Sequence, residues 1–207
     1  MPADCSIGVG FNRMKTNTSI KRVTASVLPT KLGTFSIPGY EAVTRGERRA
    51  YVVLLKGEPR KMKVSLVRIH SQCLTGDVFS SIRCGCGDKL RMAMRIINKA
   101  GAGLIIYLPE EGRASGILEK LRGYERQDQG SDTFKAGREL GFGDDQRDYL
   151  ACAEILRELG MVQIRLLSSN PAKRSALERE GILVINLVAI ETSKRHFARI
   201  ICRTKKG

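Results

Sequence analysis

Along the first third of the chain, apolar residues fall in short β-favouring runs separated by turn residues. Thr34–Ile37 precedes a break at Pro38–Gly39, Ala50–Leu55 follows Arg45–Gly46, and Val64–Ile69 closes the series. These runs predict a small, mostly antiparallel sheet over Ser26–Arg68, whose last strand delivers Arg68 and His70 into the segment that follows. The period then changes. Leu90, Ala93, Met94 and Ile97 recur at helical spacing and predict a helix over Asp88–Ala100, with Gly101 placed to end it. Leu104–Leu108 reads as a buried strand. Helical character returns over Gly116–Tyr124, over Thr133–Leu140 and over Tyr149–Leu159, with a polar, turn-like stretch at Gln127–Thr133. Ile164–Leu167 and Ile182–Val188 read as strands around a helix from about Pro171 to Glu180, where proline takes a favourable first-turn position. Alternation of strand and helix over residues 88–188 predicts a partly parallel sheet. The fold class is therefore α/β (α+β): N-terminal, mostly antiparallel strands followed by alternating helices and strands.

Length allows one domain with appendages. Residues 1–24 are polar and aperiodic and read as a loosely ordered basic extension. Residues 25–190 read as a single domain, and 191–207 as a basic tail. No apolar run is long enough to span a bilayer, and the N-terminus lacks a signal-type apolar core, so no membrane partner is expected and the cytoplasm is the expected location. The net charge of +15 favours polyanionic or multiply phosphorylated partners. The basic clusters carry neither a motif-bearing helix nor interleaved aromatics, so nucleic acid is not the expected partner.

The six cysteines are too uneven for a disulfide framework. Three of them, Cys73, Cys84 and Cys86, form a C-x10-C-x-C pattern. Cysteines one residue apart share a metal only from a turn, since a strand would point them to opposite faces, and Gly85 and Gly87 supply the backbone freedom. Three thiolates with an open position describe a catalytic zinc site. A structural site would need a fourth ligand, for which His70 is the nearest candidate. Three unrelated buried cysteines are a further reading.

The two clearest parallel strands end in PEEGR and SSNPAK. Loops at strand C-termini gather ligand groups: Arg113 offers a planar fork for phosphate, Lys173 a point charge, Ser168 and Ser169 hydroxyls at a helix start. Each is otherwise an ordinary surface residue. Asp144, Asp145, Arg147 and Asp148 read either as a proton-transfer group with its orienting charge or as a solvated turn with Asp148 capping the next helix. Tyr124 is either a catalytic phenol or a core residue. His196 reads as surface.

Taken in order, RIHSQCLTGDVFSSIRCGCG, YLPEEGR, LRGYERQDQGSDT, LGFGDDQRDY and IRLLSSNP resemble GTP cyclohydrolase II over roughly residues 27–188. The resemblance implies that GTP loses C8 as formate and its outer phosphates as pyrophosphate, leaving 2,5-diamino-6-(5-phosphoribosylamino)pyrimidin-4(3H)-one. It implies one Zn2+ per chain on Cys73, Cys84 and Cys86, Mg2+ with the triphosphate, and a homodimer. By position, Asp145 would be the proton acceptor, Arg147 the residue at the α-phosphate, and Tyr124 a catalytic neighbour of the reacting ring. For Arg147, phosphate anchoring is the easier role, because arginine stays protonated. Nucleotide contacts would fall on Arg68, Ile69, His70, Ser71, Gln72, Lys89, Glu111, Gly112, Arg113, Thr133, Ser168 and Lys173. The chain departs from the family pattern at Gln72, Gly85 and Lys89, which make the pocket more positive, and in the Pro109–Gly116 loop. Those departures allow a paralogue that acts on another purine nucleotide or stops at a formamidopyrimidine. From a different class, a basic nucleic-acid-binding protein with structural zinc would need a fourth protein ligand. A nucleobase deaminase would need H/C-x-E together with P-C-x-x-C, a combination the sequence lacks.

Overall fold

The computed structural model describes residues 18–129, 147 and 149–190. Seven strands form one sheet: β1 Thr18–Thr30, β2 Gly33–Thr44, β3 Glu47–Lys56, β4 Ser65–Ser71, β5 Gly103–Leu108, β6 Gln163–Leu167 and β7 Leu183–Val188. Their order is β1-β2-β3-β5-β4-β6-β7. β1, β2, β3 and β5 pair antiparallel, and β5, β4, β6 and β7 pair parallel. The antiparallel half predicted for the N-terminal region and the alternating half are thus one continuous sheet, joined at β5.

Among the described residues there are four helices, α1 Cys86–Ala100, α2 Ile117–Asp128, α3 Leu150–Glu158 and α4 Pro171–Arg179, of which α1, α3 and α4 pack on the sheet. Period-two alternation divides the core. Val67, Ile69, Leu104, Ile106 and Leu108 pack with Ile155 and Leu156 of α3 and Leu177 of α4. Ile105 and Leu167 pack with Ala93 and Ile97 of α1 in a separate cluster. β4 and β5 lie inside this sandwich, which is why both read as almost continuous apolar runs.

Two expectations change. β1 begins at Thr18, inside the stretch read as an extension. Most of its side chains are exposed, so it carries no apolar face for a pattern to reveal. Lys21, Arg22, Pro29 and a bulge between Arg22 and Thr24 mark it as a protected sheet edge. Pro38–Gly39 does not break β2. Proline lacks only its own N–H, and the ladder to β3 passes from Ser36↔Leu55 to Gly39↔Val52 in unchanged register while pairing to β1 continues. The helix predicted over Thr133–Leu140 and the capping role of Asp148 lie outside the described residues. Among the described residues, no helix is long and apolar enough to cross a membrane.

Candidate active site

The parallel half of the sheet places the ends of β4, β5 and β6 side by side, and the chemistry gathers above them. β4 stops at Ser71, but the Gln72 amide still donates to the Leu108 carbonyl at 2.9 Å. Cys73 then turns away into a single π-helical turn, Leu74–Val78. Cys84 lies in the loop beyond it, and Cys86 opens α1. The required turn is therefore supplied by a loop running into a helix start. The three sulfurs lie within 4.8 Å of one another, with Cys73 Sγ 3.5 Å from Cys84 Sγ. Two glycines make this approach possible. A Cβ on Gly76 would stand 3.0 and 3.1 Å from the Cys84 and Cys73 sulfurs, and one on Gly87 would stand 2.0 Å from the Gly76 carbonyl oxygen.

Asp77, which sequence reasoning did not single out, anchors the turn. Its carboxylate accepts from the Cys73 amide at 3.0 Å, from Tyr107 OH at 2.8 Å and from His70 Nε2 at 3.1 Å. His70 stacks on Tyr107. Burial lowers the affinity of its imidazole for a proton more than Asp77 raises it. The Nε2 of His70 is thus engaged by a carboxylate, and among the described residues the metal-capable group consists of the three cysteines alone. That arrangement disfavours the four-ligand structural site.

The Cys73 thiol is pushed well below its ordinary range because Cys84 and Cys86 hydrogen-bond to it and Lys120 adds its ammonium, against the opposing effect of burial. Cys84 and Cys86 are pushed up in turn, chiefly by their hydrogen bonds to Cys73. Three converging cysteines, which give up their protons when they bind a metal, are a soft donor set suited to zinc. Lys120 Nζ lies 3.0 Å from Cys73 Sγ and 2.8 Å from Glu111 Oε1, and Glu111 Oε2 accepts from the Leu74 amide at 2.6 Å. Glu111 therefore braces the cysteine turn. Gly112 and Arg113 share its 3-10 turn, Glu111–Ala114. The side chain of Arg113 lies outside what is described, as do Thr133 and Asp145. Tyr124 is half-buried, with its hydroxyl 3.2 Å from Thr75 Oγ1 and its ring 4.8 Å from the Arg83 guanidinium. Burial pushes its phenol up.

Further cations stand at the ends of β4 and β6. Arg68 is buried and donates to the Leu167 carbonyl at 2.7 Å, while its Nε is buried with no hydrogen-bond partner. Burial lowers its proton affinity, opposed by the nearby Cys86 and Asp77 charges. Lys173, also buried, donates to the Ile69 carbonyl at 2.8 Å. Arg147 donates to Ser71 Oγ at 2.8 Å. Arg147 and Lys173 stand 6.0 and 5.9 Å from the ring of Tyr149, a further residue the sequence reading passed over. Ile69 contributes backbone only, since its side chain is in the core. Ser168 is buried, and its hydroxyl accepts from the Asn170 amide at 3.1 Å. Asn170 caps α4. Gln72 and Lys89 are half-buried. The structure thus gathers the three sulfurs, Tyr124 and Tyr149 with the cations Lys120, Arg68, Arg147 and Lys173 beyond the ends of the parallel strands.

A family model described as GTP cyclohydrolase II matches residues 21–189. A GTP cyclohydrolase-2 from Shewanella loihica is 42% identical over 187 residues, 90% of this chain and 90% of the relative. The riboflavin biosynthesis protein RibBA of Cytophaga hutchinsonii is 42% identical over 179 residues, 86% of this chain but 44% of the relative, so the chain spans less than half the length of that protein. A two-domain 3,4-dihydroxy-2-butanone 4-phosphate synthase, RibBX from A. baumannii, shares the fold, with a TM-score of 0.50 at 19% identity over 87% of this chain and 42% of that one.

Proposed function

The chain belongs to the GTP cyclohydrolase II family, and from that premise we propose that it is a zinc-dependent hydrolase of riboflavin synthesis that opens the imidazole ring of GTP. The products are formate, pyrophosphate and 2,5-diamino-6-(5-phosphoribosylamino)pyrimidin-4(3H)-one. The observation that carries this reading is the convergence of three thiols beside buried Arg68 and Lys173 at the carboxyl edge of the sheet. Cys73, Cys84 and Cys86 would hold the zinc, whose Lewis acidity would make water nucleophilic at neutral pH. Arg68, Lys173 and Arg147 supply positive charge for the Mg2+-bearing triphosphate, and the Arg147 guanidinium stays charged while it anchors phosphate. Tyr124 keeps its proton and acts as a hydrogen-bond donor at the reacting ring. Asp145 takes the proton-acceptor role that its position in the family motif assigns. Gln72, Lys89, Glu111, Gly112, Arg113, Thr133 and Ser168 complete the nucleotide pocket, and the working unit is a homodimer.

The test is to incubate the zinc-loaded protein with GTP and Mg2+ and follow formate, pyrophosphate and nucleotides by mass spectrometry. Equal yields of formate and pyrophosphate support the full reaction. Pyrophosphate with a retained formyl group would replace it with the truncated reaction that the more positive pocket at Gln72, Gly85 and Lys89 allows. Absence of turnover would remove GTP as substrate.

A further inference from the structure

Helix α2 is attached to the protein in an unusual way. None of its residues is fully buried, and Leu118 and Leu121 are exposed. An amphipathic helix ordinarily gains its stability by burying an apolar stripe. What α2 presents inward instead is polar. Lys120 and Tyr124, one turn apart and so on one face, reach Cys73 Sγ and Thr75 Oγ1. Arg83 donates to the Tyr124 carbonyl at 3.3 Å and to Asp128. Each of these partners lies between Cys73 and Cys84. The sulfur cluster and its loop are the floor on which α2 sits.

We propose that Lys120 is a positioning residue of the metal centre: its ammonium, shared between the Cys73 sulfur and the Glu111 carboxylate, ties α2 to the thiolate loop and makes metal retention and the seating of Tyr124 a single coupled event. The proposal rests on the reading that Cys73, Cys84 and Cys86 hold zinc. Three thiolates exceed the charge of a divalent cation by one, and a partly buried excess charge needs a counter-charge. Lys120 is a cation in direct contact with a sulfur, 3.0 Å from Cys73 Sγ, and its side chain is only 15% exposed, against 9% for Glu111. Without it, the Glu111 carboxylate and the thiolates face each other as like charges, and the brace from Glu111 to the Leu74 amide is strained from the same side. Partners that orient metal ligands in this way typically change metal affinity by about 10- to 100-fold when removed. Coupling is reciprocal, so zinc must tighten α2 as much as α2 tightens zinc.

The experiment uses the full chain and reads zinc affinity by competition with a chromophoric chelator, and amide hydrogen exchange of residues 117–128 with and without zinc. Lys120→Met should weaken zinc by about 10-fold or more and abolish the zinc-dependent protection of α2, while Lys120→Arg, which keeps the charge, restores most of both. Arg122→Met, which removes an exposed cation from the same helix, should leave both unchanged. A Lys120→Met protein that binds zinc as the parent does overturns the proposal while leaving the metal reading intact. So does a parent whose α2 exchange is indifferent to zinc, a result that needs no variant to fold. A parent that binds no zinc overturns both.

Discussion

Replacing Asp77 by Asn tests whether the cysteine turn is held by one buried carboxylate. The substitution preserves volume and one acceptor oxygen but turns the other acceptor into an NH2 donor. Asp77 is 5% exposed and accepts from the Cys73 amide, Tyr107 OH and His70 Nε2. Asparagine can meet all three only if His70 switches tautomer and turns its Nδ1–H toward the Arg68 guanidinium 3.5 Å away, so a buried donor loses its acceptor on one side of the ring or the other. An unsatisfied buried group costs about 1–3 kcal/mol, and hydrogen bonds to a charged acceptor lie at the upper end. The expected loss is about 3 kcal/mol for the zinc-loaded protein, which in a chain of this size lowers Tm by roughly 6–12 °C. Thermal and urea melts, with zinc release followed by a chelating dye, provide the measurement. Tyr107→Phe removes a single donor from the same carboxylate and should cost about 1 kcal/mol. A loss below about 1 kcal/mol for Asp77→Asn, or zinc release unchanged, would refute the claim that this carboxylate sets the position of Cys73.

Other consequences can be measured in parallel. Gly87→Ala places a methyl 2.0 Å from the Gly76 carbonyl oxygen; overpacking against backbone should cost at least about 1–3 kcal/mol and impair zinc binding, as melts and metal content will show. Gly123→Ala adds a methyl to α2 that meets nothing within 4 Å and should raise stability by about 0.5–1 kcal/mol; an unchanged or lower Tm contradicts that. Burial holds His70 below its ordinary range, so the unfolded chain takes up a proton near pH ~6.5 that the folded state refuses. Its contribution is complete above that pH and is lost as pH falls, so His70→Gln should flatten the fall in Tm on acidification. Cys73→Ser should abolish turnover with the fold retained; loss of the fold along with the metal would mark a structural site instead.

Much of this architecture could be read in advance because it follows from periodicity. Leu90, Ala93, Met94 and Ile97 show one face of α1, and the run at Leu104–Leu108 shows a strand covered on both sides. β1 escaped because an edge strand exposed on both faces has no period to display. The metal-ligand spacing pointed to Cys73, Cys84 and Cys86, which the structure brings together. Strand-end position likewise pointed to Lys173, and Arg68 joins it at the same edge. Asp77, Tyr107, Lys120 and Tyr149 escaped because what they do depends on which chain segments meet in space. The Lys120–Cys73 contact spans 47 residues, and nothing local to either residue announces it. His70 looked like a ligand because it is a histidine near cysteines, and only the position of Asp77 shows where its Nε2 is engaged.

The order of strands has a consequence for how the molecule is made. In the sheet, β5 lies between β3 and β4, yet it is synthesised after both, and after all three cysteines. A ribosome that has released Cys86 still holds the strand that fixes β4 in place, and behind it the lysine that meets the Cys73 sulfur. The nascent chain therefore carries three bare thiols on a platform with a missing plank. If the three cysteines take a metal, an ion captured before residue 120 has emerged would be held by a loop that has yet to acquire its shape.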